Sequence, residues 1–233
     1  MKESSLTEIF NPYVMKILRI PFLNTISTET SIELASELVE TTTIETHSID
    51  CINWFNEYPE KPVVNFKLVR IKDGLILKFY VKEDVTRATY TIDNEKIYRD
   101  SCIELFIDPS ADGTYYNFEF NALGTLLLAF GVNRNGREKA PSEITNGIKR
   151  LSSLGINPFD NLSDKSPWHL TVMIPNTSFW HHSLLSLEGK GVRGNLQKCV
   201  DDLPVPHFLT WNPIPTPHPD YHKPEHFGTF NFI

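Results

Sequence analysis

The chain has 233 residues, of which 40% are hydrophobic and 22% charged, with 22 Lys and Arg against 29 Asp and Glu for a net charge of -7. That balance belongs to a folded chain, and it argues against a general nucleic-acid binder, which needs a basic face to displace counterions from phosphates. No apolar run approaches the roughly 20 residues that span a bilayer.

The opening, MKESSLTEIFNPYVMKILRI, lacks the continuous apolar stretch of a signal peptide. With Met1 as the native start, the expected location is the cytoplasm; with a trimmed start, it is the periplasm or the exterior. A short strand is expected at Ile17–Ile20, ending at Pro21. One or two helical turns are expected over Ser31–Val39, where Ile32, Ala35, Leu38 and Val39 share a face. The run ETTTIETHSI favours strand. VVNFKLVR and LILKFYVKE, separated by IKDG, read as a hairpin in which Gly74 supplies the positive φ of a type I′ turn.

After a loop, DSCIELFID, TYYNFEFNALG and TLLLAFGV make a three-stranded meander between 100 and 132. On its first strand Ser101, Ile103, Leu105 and Ile107 point one way, and Asp100, Cys102, Glu104, Phe106 and Asp108 the other. Residues 133–167 look irregular, with a short helix near Ile144–Leu151. WHLTVMIP is a strand closed by Pro175, NTSFWHH a turn, and Gly191–Val200 a further strand. Between Leu209 and the last strand, Gly228–Phe232, five prolines interrupt any helix or ladder, so this tail reads as a long ordered surface loop.

Many short alternating strands with few helices predict an all-β fold, a β-sandwich of immunoglobulin-like or jelly-roll-like layers with long Pro-rich loops and one or two short helices. The chain reads as one domain over 1–233, with 1–45 as an N-terminal extension packed on it.

Four groups of residues carry candidate chemistry. Glu104 and Glu119, with Asn121, fall on one strand face, as an acid/base pair, as sugar hydrogen-bonders, or as solvated side chains. Trp54, Tyr58, Tyr98, Trp211 and Tyr221 lie in loops, either as platforms for sugar rings or as loop anchors. His218, His222 and His226 are spaced by four, but Pro217, Pro219 and Pro224 forbid the helix that would make this a metal-binding face. Cys51, Cys102 and Cys199 show no CxxC spacing, which predicts reduced thiols and no zinc site. Nucleophile-elbow, Walker, HExxH and dinucleotide motifs are all absent.

The pieces YRDSCIELFIDP (98–109), YYNFEFNALGT (115–125), WHLTVMIP (168–175) and GNLQK…LTWNPI…PDYHKPEHFGTFNF (194–232), in this order, resemble the family 9 carbohydrate-binding modules and their DOMON-like relatives. The likeness runs from about 50 to 233 and is nearest to the single-domain proteins of Bacteroidetes. It implies a β-sandwich that binds oligosaccharide or polysaccharide without cleaving it. Two aromatic rings would clamp a terminal sugar, matched here by Tyr98 and Tyr221, with Trp211 supporting them. Arg99, Glu104, Glu119, Asn121 and Gln197 would bond the hydroxyls. Glu119 stands where binding members can carry a basic residue. No cofactor and no nucleic-acid or membrane-spanning role is expected, and a structural calcium is left open. The alternatives are a glycoside-active enzyme using Glu104 and Glu119, and a protein-interaction or haem-binding domain. For haem, Met1, Met15 and Met173 give few axial options.

Overall fold

The computed structural model of the protein describes residues 15–163, 167–182, 187 and 191–233. Its strands are β1 (Ile17–Ile20), β2 (His47–Ser48), β3 (Val63–Ile71), β4 (Gly74–Lys82), β5 (Thr86–Ala88), β6 (Cys102–Asp108), β7 (Tyr115–Asn121) and β8 (Leu126–Gly131). They continue with β9 (Glu138–Lys139), β10 (Lys149–Ser152), β11 (Phe159–Leu162), β12 (Trp168–Pro175), β13 (Gly191–Val200), β14 (His207–Thr210) and β15 (Gly228–Phe232). Two helices accompany them, α1 (Ile32–Thr41) and α2 (Ser142–Thr145).

Thirteen of these strands form two layers, and β5 and β11 pair in a separate two-stranded sheet. The larger sheet has eight strands in the order β1-β15-β13-β6-β7-β8-β9, with β14 also paired to β13. The smaller has five, in the order β10-β12-β4-β3-β2. One face of each sheet is apolar, and the two meet in the main core. Ile103 and Leu105 of β6 and Phe118 of β7 belong to the same buried cluster as Phe66, Phe79 and Leu170 of the opposing sheet. Each such side chain contributes about 1.5–3 kcal/mol by leaving water. This is the β-sandwich that the alternating pattern predicts. Of the expected N-terminal extension, residues 1–14 lie outside the described residues. The rest is woven in, since β1 pairs in parallel with β15. Helix α1 lays Ala35 and Val39 on Val69, Ile76 and Met173, covering the outer face of the small sheet. Ser31 caps it, its Oγ accepting from the Leu34 N–H at 3.3 Å. No helix among the described residues is long and apolar enough to cross a membrane.

Four sequence expectations need correction. The hairpin β3–β4 forms, but its two loop residues are Lys72 and Asp73, and Gly74 is the first paired residue of β4, opposite Ile71. Gly74 is not among the residues of positive φ. It is needed because a Cβ there would sit 2.4 Å from the Ile174 carbonyl oxygen of β12. The Thr-rich run is mostly not strand, for α1 continues through Thr41 and only His47–Ser48 pair, with Phe66 and Asn65. The helix expected near 144–151 is the single turn α2, after which β10 joins the sheet edge against β12. Finally, the Pro-rich tail is a surface loop only in part: Pro215, Pro217 and His218 are exposed, but the segment is anchored from within. Ile214, Tyr221 and Phe227 are buried with Trp54 against Phe106 and Tyr115, on the face of the large sheet that looks away from the main core. The prolines stop the chain from forming strands while its aromatic and aliphatic side chains still pack.

Candidate functional site

The outward face of the large sheet carries the site. In-register pairing lines up three polar residues across three strands: Gln197 of β13 faces Glu104 of β6, which faces Glu119 of β7. Facing residues of antiparallel strands project to the same side, so strand alternation alone puts these groups in one row. The neighbouring rows hold Cys199, Cys102 and Asn121 on one side, and Asn195, Phe106 and Asn117 on the other. The tail and the segment around Trp54 cover part of this face and leave a cleft of about 720 Å³. Glu104, Glu119, Phe106, Asn117 and Cys199 contribute to its lining from the strands, and Tyr58, Tyr98, Phe208, Tyr221 and His222 from the loops and β14. Arg134, Arg137, Lys139 and Asp201 add charge to the lining.

Glu104 and Glu119 are both buried, at 3% and 5% exposure. Glu104 Oε1 accepts from the Cys199 thiol at 3.1 Å, and Glu119 Oε1 accepts from Asn117 Nδ2 at 2.7 Å. Among the described residues, Oε2 of each has no hydrogen-bond partner, and neither has either amide atom of Gln197. Burial pushes both carboxyls up, and the neighbouring Glu119 charge adds to the rise at Glu104. Unpartnered buried polar atoms normally cost about 1–3 kcal/mol each, so a row of them is a place where the fold gives up stability.

The rest of the cleft is tightly held. Arg137 stacks on the Tyr115 ring at 4.2 Å, and its Nε donates to Asn117 Oδ1 at 2.8 Å, which in turn fixes the amide that holds Glu119. His222 Nδ1 lies 2.8 Å from the Tyr115 hydroxyl, and burial lowers its pKa to about 3, so the ring is neutral. Tyr58 meets Phe208 edge-on at 4.7 Å.

The structure distributes the eight candidate binding residues unevenly. Tyr98, Glu104, Glu119 and Tyr221 all line the cleft. Tyr98 is half-buried, but Tyr221 is only 8% exposed. Its hydroxyl donates to the Lys198 carbonyl at 2.9 Å, and its ring lies 5.9 Å from Trp54. It is a wall of the cleft packed into the protein, and a free-standing clamp ring is not what the geometry offers at this position. Gln197 is fully buried beside Glu104, behind the lining. Asn121 lies outside the cleft: its Nδ2 donates to Tyr90 O and Asp100 Oδ2, and its Oδ1 accepts from the N–H groups of Leu123 and Thr125. It ties the β7–β8 turn to the preceding loop. Trp211 is 4% exposed in the main core, with its ring over Gly228 and 5.6 Å from Phe230. Arg99 is exposed and pairs with Asp202 at 3.6 Å, outside the cleft lining.

Sequence reasoning did not single out Asn117, Arg137 or Phe208. Asn117 was detectable, since it sits two residues before Glu119 on the same face. Arg137 lies in the irregular stretch after β8, where no period marks its direction. Of the histidines spaced by four, His222 turns into the cleft, whereas His218 lies 3.6 Å from Glu57 at the surface.

Residues 33–232 match the family described as carbohydrate-binding family 9. A crystal structure of a candidate carbohydrate-binding protein from Bacteroides uniformis is 36% identical, with a TM-score of 0.90, covering 94% of this chain and all of that one. Two structures of a family 9 carbohydrate-binding module from Caldicellulosiruptor kristjanssonii share the fold at much lower identity. The complex with cellotriose is 12% identical with a TM-score of 0.56, covering 93% of each chain. The complex with glucose is 13% identical with a TM-score of 0.52, covering 94% of this chain and 96% of that one. No curated protein matches the chain.

Proposed function

The chain belongs to carbohydrate-binding family 9, and on that premise we propose that it binds a neutral oligosaccharide or polysaccharide end in the cleft, without cleaving it. The observation that carries the proposal is the facing pair Glu104–Glu119 at the cleft, each with a carboxyl oxygen that no described residue partners. Sugar hydroxyls are both donors and acceptors, and vicinal pairs can bridge adjacent carboxyls. Tyr98, Tyr58 and Phe208 offer apolar surface at the same cleft, on which the C–H faces of a pyranose ring gain about 0.5–1.5 kcal/mol per contact. Tyr221 acts as wall and spacer. Arg137 and Asn117 position Glu119.

Glycosidic cleavage is the weaker use of the same pair. Acid/base catalysis wants one carboxyl raised and its partner ionised, flanking the scissile bond. Here both carboxyls share one floor, and burial pushes both in the same direction. The relatives bound to glucose and cellotriose make β-glucosyl oligosaccharides the first ligands to try. Titration calorimetry with glucose, cellotriose and a wider oligosaccharide panel tests the proposal. Saturable binding with no product released, weakened by Glu104→Ala, supports it. Turnover of the bound sugar, or binding indifferent to Glu104→Ala, overturns it.

A further inference from the structure

We propose that Cys102, Cys199 and Glu104 form a site for one thiophilic divalent cation, such as Zn²⁺, beneath the cleft. The sequence spacing does not announce it, because the two cysteines lie 97 positions apart in the chain; they become neighbours only as the facing pair Cys102–Cys199 of β6 and β13. Glu104 stands two residues after Cys102, on the same strand face. The thiol sulfurs and a Glu104 carboxylate oxygen lie within 4.8 Å of one another, and all three residues are buried. Tetrahedral Zn²⁺ with Zn–S near 2.3 Å and Zn–O near 2.1 Å needs its ligand atoms about 3.5–4 Å apart, a spacing of the same order as the 4.8 Å limit that encloses this cluster.

A second observation points to a ligand at the same place. Among the described residues Glu104 Oε2 has no partner, and neither has either amide atom of the adjacent, fully buried Gln197. A cation held by two sulfurs and one carboxylate oxygen still needs a fourth donor, and the Gln197 carbonyl oxygen or a water from the cleft is at hand. Cys199 and Glu104 both line the cleft, so a cation has an entry path. Binding exchanges the two thiol protons, and that of Glu104 when it is protonated, for the cation, the protons leaving to solvent. Burial raises the Cys102 thiol, and the hydrogen bond with Cys102, together with burial, raises that of Cys199. The inference goes beyond sugar binding and does not rest on it.

The test is titration of the fully reduced whole chain with Cd²⁺, reading the sulfur-to-cadmium charge-transfer absorption in the ultraviolet and the melting temperature. One equivalent should saturate the band and raise the melting temperature. Cys102→Ser and Cys199→Ser should each lose the saturating band, while Cys51→Ser, whose thiol donates elsewhere to the Trp211 carbonyl, keeps it. Should either variant fail to fold, Glu104→Gln keeps both thiols and should bind Cd²⁺ more weakly than the parent. The proposal is overturned if reduced parent protein shows no stoichiometric band, if the band survives in Cys199→Ser, or if Glu104→Gln binds as tightly as the parent. It is also overturned if the two thiols form a disulfide and, once reduced, take up no Cd²⁺.

Discussion

Glu104 and Glu119 face each other in register across β6 and β7, and each ends in a buried carboxylate oxygen that no described residue satisfies. Two like groups placed side by side away from water weaken the fold, and a site that binds hydroxyls is the natural return for that cost. Replacing either by alanine should therefore separate binding from stability. Glu104→Ala or Glu119→Ala should weaken sugar affinity about tenfold, the worth of one or two hydrogen bonds from a largely neutral carboxyl at about 0.5–1.5 kcal/mol each. Calorimetric titration measures this, and thermal unfolding should show a melting temperature no lower than that of the parent.

The same pair sets a pH dependence of stability. Burial raises the Glu119 carboxyl from 4.5 to about 7 in the folded chain. Its folded form thus holds a proton that the unfolded form has released, and the stability it contributes is present below 4.5 and lost as pH rises through about 7. Glu119→Gln removes this loss. Its melting temperature relative to the parent should climb between those pH values and then level off, and melting curves across the range check it.

The two tyrosines should answer differently. Tyr98 is half-buried at the cleft, so Tyr98→Ala should lower affinity with a small change in stability. Tyr221 is packed between Trp54 and Phe208, and Tyr221→Ala should cost about 3–5 kcal/mol of stability as a large-to-small core change. Tyr221→Phe keeps the wall and loses only the bond to the Lys198 carbonyl, about 1 kcal/mol, with sugar affinity close to that of the parent. Denaturant unfolding beside titration distinguishes these outcomes.

The glycine that closes the Pro224–Phe227–Gly228 motif serves packing. A Cβ at Gly228 would lie 2.5 Å from the Trp211 ring and 2.8 Å from the Lys16 carbonyl oxygen. Gly228→Ala should destabilise the fold by about 1–3 kcal/mol through overpacking, read as a lower denaturation midpoint.

Legibility followed periodicity. The meander of β6, β7 and β8, the strands β12, β13 and β15, and the shared face of Glu104 and Glu119 were visible as alternation with period two. What alternation does not encode is which face the tail will cover. Trp211 and Tyr221, read as loop aromatics, are therefore packed rings, and Asn121, read as a ligand contact, is a turn anchor. Cys102 and Cys199 were invisible as a pair because strand register, set by long-range pairing, brings them together. Gly74 shows the same limit at short range: the Asp73–Gly74 signal located the turn, but the glycine is required by the neighbouring strand β12.

The most direct test is a glycan-array screen of the parent protein beside Glu104→Ala, followed by calorimetry on the strongest sugar. The account predicts saturable binding of a sugar by the parent, lost or weakened at least about tenfold in a variant that melts no lower. No binding to any glycan, or equal affinity in the variant, would contradict it.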